Sequence, residues 1–183
     1  MKLTAISLKK NLTFNEKWVQ EQIAADPAIL GLGQLDLKEK ERIQPNAGRL
    51  DLLLQDVETL KRYECEIQLG ITDETHIIRT IEYWDIERKR YPQYEHAAVL
   101  IAEGVTGRFL NVIHLFNGHI PLIVIKMTAY QVGDEVALTF TKILDEMSLG
   151  LVGEDEPIPL PADRAYWEKF SSKQVLTFTV NAH

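Results

Sequence analysis

GRLDLLLQD (residues 48–56) and KRYECEIQLG (residues 61–70) decide how this chain is read. The first is an apolar strand, Leu50 to Leu54, interrupted only by Asp51. A carboxylate in such a run is costly to bury unless it is paired, hydrogen-bonded or bound to a metal. The plain alternative is an aspartate at a strand end making turn hydrogen bonds. The second segment alternates with period two, so Tyr63, Cys65, Ile67 and Leu69 face one way and Glu64, Glu66 and Gln68 the other. If the segments pair as a hairpin, Asp51 and Glu66-Ile67-Gln68 come within reach of one ion. Two carboxylates and the main-chain carbonyl of Ile67 are the hard oxygen donors that Mg²⁺ prefers, with water completing the shell. Taken alone, the Glu64/Glu66/Gln68 face reads as a solvated sheet surface.

Outward from this pair, residues 14–25 predict a helix with Asn15 as N-cap and Phe14, Trp18, Val19 and Ile23 as its apolar stripe, re-aimed at Asp26-Pro27. Residues 35–43 suit a partly exposed strand, and Pro45-Asn46-Ala47-Gly48 a turn. Gly70 closes the strand at 61–69. A long helix over 73–91 follows, capped by Thr72 or Asp73 and stopped before Pro92. Then come a buried strand at 96–103, a helix over 106–118 and a buried strand at 121–127. Strands and helices alternating in this way imply crossover connections and partly parallel pairing, an α/β domain. Beyond a turn at Gly133-Asp134 the chain predicts a strand at 135–143, an acidic proline-bearing loop at 152–162, a helix near 163–170 and a strand at 174–180. Residues 1–130 are therefore expected to form the core, and 131–183 a β-rich extension packed on it or on another subunit.

The chain's 183 residues suit one domain with a sizeable core. A single cysteine excludes an internal disulfide framework, and Cys65, directed away from Glu66, is expected in the core. The start, MKLTAISLKKNLTF, is too weakly apolar for a signal peptide, and no stretch approaches the roughly 20 apolar residues of a membrane span. The expectation is a cytoplasmic protein with no membrane partner. Net charge is −7, of which residues 134–183, with nine acids and four bases, supply −5. The remainder is close to neutral, so the balance weakens nucleic-acid binding without removing it.

The two segments together, preceded by a helix bearing an acid and followed by a long helix, resemble the PD-(D/E)xK superfamily of restriction-endonuclease-like nucleases. The likeness covers roughly residues 14–127 and implies a mixed β-sheet core flanked by helices, to which the C-terminal β-rich extension read above is added. It implies that Asp51 holds the aspartate position, Glu66 the (D/E) position and Gln68 the lysine position. Leu50 stands where proline gives the family its name, and Gln68 is a departure, because an amide supplies no positive charge. The family often adds an acid from the first helix. Glu16, beside Val19, Gln20 and Ile23, is the better candidate, with Glu21 as the alternative and an exposed helix glutamate the bland reading of either. On the long helix Arg79 and Tyr83, at i,i+4, match a Gln and Tyr pair that faces the site in related nucleases. Arg79 is expected to hold a phosphate oxygen or, more plainly, to pair with Glu82 or Glu87. Arg88-Lys89-Arg90 suits either the helix dipole or contact with a nucleic-acid backbone. His76 could face the cleft from the first turn of that helix, whereas His96, His114 and His119 read as structural.

The expected activity is Mg²⁺- or Mn²⁺-dependent hydrolysis of phosphodiester bonds in nucleic acid, with DNA the favoured substrate. Asp51, Glu66 and the Ile67 carbonyl would hold the metal and Gln68 would orient water. Gln68→Lys is then expected to keep or raise cleavage, since two carboxylates would partner the lysine. Cutting both strands of a duplex would make a homodimer the natural assembly. The competing readings are a non-catalytic nucleic-acid- or protein-binding module on the same fold, and a metal enzyme for a small phosphorylated molecule. The second lacks a phosphate-cradling Gly-rich loop.

Overall fold

The apolar runs at 50–54, 97–102 and 122–125 form central strands of one seven-stranded sheet in the computed structural model, which describes residues 4–133 and 135–147. These fall in the first of two units, Met1–Leu149; the second, Gly150–His183, lies outside the described residues, and with it the expected loop at 152–162, helix at 163–170 and strand at 174–180.

The elements are β1 (Thr4–Ile6), α1 (Glu16–Ala25), a 3₁₀ turn (Pro27–Leu30), β2 (Leu35–Gln44), β3 (Gly48–Asp56), β4 (Arg62–Ile71), α2 (Glu74–Arg90), β5 (His96–Gly104), α3 (Gly107–Asn117), β6 (Leu122–Val132) and β7 (Glu135–Leu144). The sheet order is β1-β6-β5-β4-β3-β2, with β7 added on β6. Strands β2, β3 and β4 form an antiparallel meander, while β4, β5 and β6 run parallel, joined by α2 and α3 as crossovers. The sheet is thus mixed and flanked by helices, and the β6–β7 pair, running from Val124↔Leu144 to Val132↔Glu135 with a register shift between Val124 and Ile125, extends it across the expected boundary at residue 130. This is a restriction-endonuclease-like architecture.

Both faces of the sheet are covered, which explains why β5 reads as a continuous apolar run. Ala97, Val99 and Ile101 face α1 with Val19, Ile23, Leu52, Cys65 and Ile67; Ala98 and Leu100 face α2 and α3 with Ile77, Trp84 and Ile113. The polar face of β4 is therefore not solvated: Glu64, Glu66 and Gln68 lie buried under α2.

Helix starts follow the expected side-chain caps, with Asn15 accepting from the Trp18 N–H and Asp73 from the His76 N–H. Three boundaries differ. Strand β1 was not anticipated, because three residues carry no usable periodicity; it forms by pairing with Ala129–Gln131 of β6. Strand β4 continues through Gly70, which takes a positive φ of 84°, and ends at Ile71. Strand β6 runs on to Val132 because β1 and β7 pair with its second half.

Candidate active site

Strands β3 and β4 pair from Gln55↔Arg62 to Leu52↔Cys65 and then part. At the parting Leu50 leaves the face shared by Leu52 and Leu54 and packs with Leu53 and Tyr83, so strict alternation breaks at Asp51. The next ladder donor, the Ile67 N–H, is taken by the Asp51 side chain, with Oδ2 accepting at 2.7 Å. An inward strand residue directs its N–H and C=O to the same edge, so the Ile67 carbonyl faces the same gap. Helix α1 secures the other side of Asp51: the buried Gln20 donates from Nε2 to the Asp51 carbonyl at 3.0 Å. Gln20 is the residue that sequence reasoning missed here, although its place beside Val19 and Ile23 on the buried stripe was the available signal.

Glu66, 1 % exposed, stands next to this carboxylate on β4. Its Oε1 lies 3.1 Å from Nη2 of Arg79, and its Oε2 is buried without a hydrogen-bond partner. An orphaned buried carboxylate oxygen is expensive, and the protein meets that cost partly by retaining a proton. Burial, and then the charge of Asp51, drive the Glu66 carboxyl up to about 9, with Arg79 opposing. Burial likewise raises Asp51 to about 6 against the pull of the Ile67 N–H, and Glu16 adds to the rise. Glu16, the first residue of α1, is itself raised by desolvation, with His76 and Arg79 pulling the other way. The alternative acid, Glu21, points elsewhere and pairs with Lys40 at 2.7 Å.

Arg79 thus pairs with Glu66, not with Glu82 or Glu87. Its Nε donates to Tyr83 Oη at 3.0 Å, and Nη2 lies 3.4 Å from the Arg49 carbonyl. Tyr83 is fully buried and donates to the Ala47 carbonyl at 2.9 Å, bracing the β2–β3 turn. That turn needs Gly48, whose φ is 100° and whose Cβ would stand 3.0 Å from the Tyr83 hydroxyl. Gln68 shares the face of Glu66, but its amide is turned to the start of α2: Nε2 donates to the Ile71 carbonyl and to Asp73 Oδ2, each at 3.2 Å, and Oε1 accepts from the Asp73 N–H at 3.3 Å.

The structure therefore brings together Glu16, Asp51, Glu66, Ile67 and Arg79. Arg88, Lys89 and Arg90 begin about 14 Å further along α2, at 1.5 Å rise per residue. There Arg88 and Lys89 pair with Asp85, and Arg90 pairs with Glu87. The buried Glu87 also receives Arg42 Nε and Gln44 Nε2, each at 2.9 Å, which anchors β2 to the far end of α2. Nearby, Glu64 and His96 form a buried pair at 2.7 Å, with the other ring nitrogen of His96 on the Tyr91 carbonyl. His96 is accordingly structural, as its position in an apolar strand suggests.

The chemistry available is that of two buried carboxylates, one of them with an unused oxygen, and a carbonyl on the same gap. That donor set fits a divalent cation completed by water. Among the described residues no three His, Cys, Asp or Glu side chains form a ready-made metal cage.

Fold and site together define a restriction-endonuclease-like domain with a buried acidic pair where its meander opens. No protein-family model and no curated protein matches the chain. Two solved structures resemble it. One is a repair endonuclease from Pyrococcus abyssi, 16 % identical over 65 % of this chain with a TM-score of 0.52. The other is EndoMS in a complex with double-stranded DNA, 20 % identical over 55 % of this chain with a TM-score of 0.48. This chain matches 49 % and 42 % of their lengths, under half of each. The first likeness supports the fold. Among the described residues no helix is long and apolar enough to cross a membrane.

Proposed function

We propose that this protein is a metal-dependent nuclease that hydrolyses phosphodiester bonds, with DNA as substrate. The observation that carries the reading is the Asp51–Glu66 pair: two carboxylates kept in a buried gap where both are forced towards protonation and one oxygen has no partner. Glu64 and Glu87 are also buried with one unpartnered oxygen, but each sits in its own ion pair; two perturbed carboxyls clustered on one gap mark a functional site. Asp51, Glu66 and the Ile67 carbonyl would hold Mg²⁺ or Mn²⁺, with Glu16 at the rim. When bound, the ion would polarise the scissile phosphate and make a bound water more acidic.

The remaining work falls to the chain's own side chains. Arg79, held by Tyr83, carries a permanent charge beside Glu66 and would bind a phosphate oxygen as charge accumulates on it. The Ile67 N–H keeps the Asp51 carboxylate in its orientation, and Gln20 holds the Asp51 main chain. Gln68 contributes through Asp73, which it clamps. Arg88, Lys89 and Arg90 would contact the nucleic-acid backbone away from the chemistry. The solved structure with the higher TM-score is described as a repair endonuclease, which agrees with this reading.

A second reading, a non-catalytic nucleic-acid- or protein-binding module, draws on Gln68, whose amide supplies no charge and is already engaged. Cleavage of single- and double-stranded DNA and RNA with Mg²⁺ or Mn²⁺, compared with EDTA and with Asp51→Ala, separates the two. Metal-dependent cleavage that Asp51→Ala abolishes supports the nuclease. Nucleic-acid binding by an inert wild type supports the module.

A further inference from the structure

A water that attacks phosphorus must lose a proton, and the carboxylate gap offers few groups able to take it. Arg79 is a permanent cation, and the Gln68 amide has no basic nitrogen. One imidazole stands alongside. His76 lies in the first turn of α2, three residues before Arg79, so the two side chains are neighbours on one helix face, and Arg79 reaches Glu66 at 3.1 Å. The His76 side chain is 22 % exposed, open enough to meet solvent, and it lies within electrostatic reach of Asp51 and Glu16.

The ring is not free to turn. Its Nδ1 is 2.8 Å from Asp73 Oδ1, which also accepts the His76 N–H at 3.1 Å. Asp73 in turn is held by the Gln68 amide through Oδ2 and through its own N–H. Thr80 Oγ1 donates to the His76 carbonyl at 2.7 Å, which fixes the turn behind the ring. The bond from His76 also holds the Asp73 carboxyl below its ordinary value, so Asp73 is ionised and can only accept. Nδ1 must therefore carry the hydrogen, and in the neutral ring the lone pair is on Nε2, the nitrogen turned away from Asp73.

We propose that His76, oriented by Asp73 and through it by Gln68, is the proton acceptor of this site. The inference rests on the nuclease reading above. As the water oxygen forms its bond to phosphorus, one water proton passes to Nε2 of His76. The bond from phosphorus to the leaving oxygen breaks, and that oxygen takes a proton from solvent water. The products are a phosphate monoester and an alcohol, and the imidazolium returns its proton to bulk water. Gln68 and Asp73 are positioning residues here, since neither meets the reacting atoms. The charged groups around the ring are Asp73 at its own helix cap, Glu16 from α1, Asp51 from β3 and Arg79 from α2, with Glu66 of β4 behind Arg79.

The test uses the full chain with Mn²⁺. Mn²⁺ binding is followed by calorimetry, and cleavage of single- and double-stranded DNA and RNA is followed with and without added imidazole. His76→Ala is expected to bind Mn²⁺ as the wild type does, to lose about 10²–10⁴ in cleavage rate, and to recover part of it with imidazole. His76→Gln, which keeps most of the ring's volume, should lose the same rate without rescue and serves if His76→Ala fails to fold. Asp73→Asn should lose rate and shift the acidic limb of the pH–rate profile, which reports the base, because the ring loses its anionic partner. A His76 variant that cleaves like the wild type overturns the inference and leaves the nuclease reading standing. Loss of Mn²⁺ binding in His76→Ala overturns it by making the ring a ligand. A wild type that cleaves none of the four substrates overturns both.

Discussion

A lysine at position 68 tests the reading of this site most directly. From the sequence alone, Gln68→Lys is expected to keep or raise cleavage, because position 68 shares a strand face with Glu66. The geometry reverses that expectation. Gln68 is 6 % exposed, and its amide makes three contacts: to the Ile71 carbonyl at 3.2 Å, to Asp73 Oδ2 at 3.2 Å, and from the Asp73 N–H at 3.3 Å. An ammonium can replace the two donated bonds but has no acceptor for the Asp73 N–H. The lost bond costs about 1 kcal/mol net. Desolvating the ammonium adds to this, and its new pair with the half-exposed Asp73 returns little. A loss of about 1–2 kcal/mol lowers Tm by roughly 2–8 °C for a unit of this size. The ammonium would also draw Asp73 away from His76, so metal-dependent cleavage should be no faster than wild type. Thermal unfolding followed by circular dichroism, with single-turnover cleavage on the same preparations, measures both quantities. An unchanged or raised Tm together with tenfold faster cleavage would mean that the side chain works at the carboxylates. The clamp on Asp73 would then be the wrong account of its role.

Asp51→Ala should abolish Mn²⁺ binding measured by calorimetry, because residues 50 and 52–54 are all leucine and none can replace the ligand; retained binding would refute the assignment. Arg79→Ala should lower cleavage by about 10²-fold, the usual cost of removing one charge-stabilising donor, while Mn²⁺ still binds. A loss of binding instead would make Arg79 a structural brace. Tyr83→Phe removes a buried hydroxyl that donates to Ala47 and receives Arg79, so it should cost about 1–3 kcal/mol in urea unfolding. The buried Glu64–His96 pair makes a pH prediction. Burial lifts the Glu64 carboxyl from 4.5 to about 7, so the folded state holds a proton that the unfolded state releases. That contribution is complete below about 4.5 and is lost as pH rises through about 7. It is on the order of 3 kcal/mol. Metal-free wild type should lose more Tm between those limits than Glu64→Gln, and parallel curves would refute the shift.

Local chemistry made much of this protein legible in its sequence. The alternation in 61–69 assigns the side chains from Tyr63 to Leu69 to their faces, the apolar runs mark β5 and β6 as buried strands, and Asn15 and Asp73 start their helices as their side chains dictate. The same patterns single out Asp51, since a carboxylate inside an apolar run is conspicuous without any coordinates, while Glu66 gains meaning only from its place opposite Asp51 in the expected hairpin. Tertiary structure alone decided what covers and completes them. The face of Glu64, Glu66 and Gln68 reads as solvated until α2 folds over it, because alternation reports which residues share a face and not whether a helix lies on it. Strand β1 exists through its partner, and three residues hold no period of their own. The pairing of Glu21 with Lys40, the pairing of Arg79 with Glu66 and the turn of Gln68 toward Asp73 depend on contacts that the sequence pattern does not report. Such contacts are selected by burial and by hydrogen bonds that must be satisfied once water is excluded, and neither condition exists before the chain has folded.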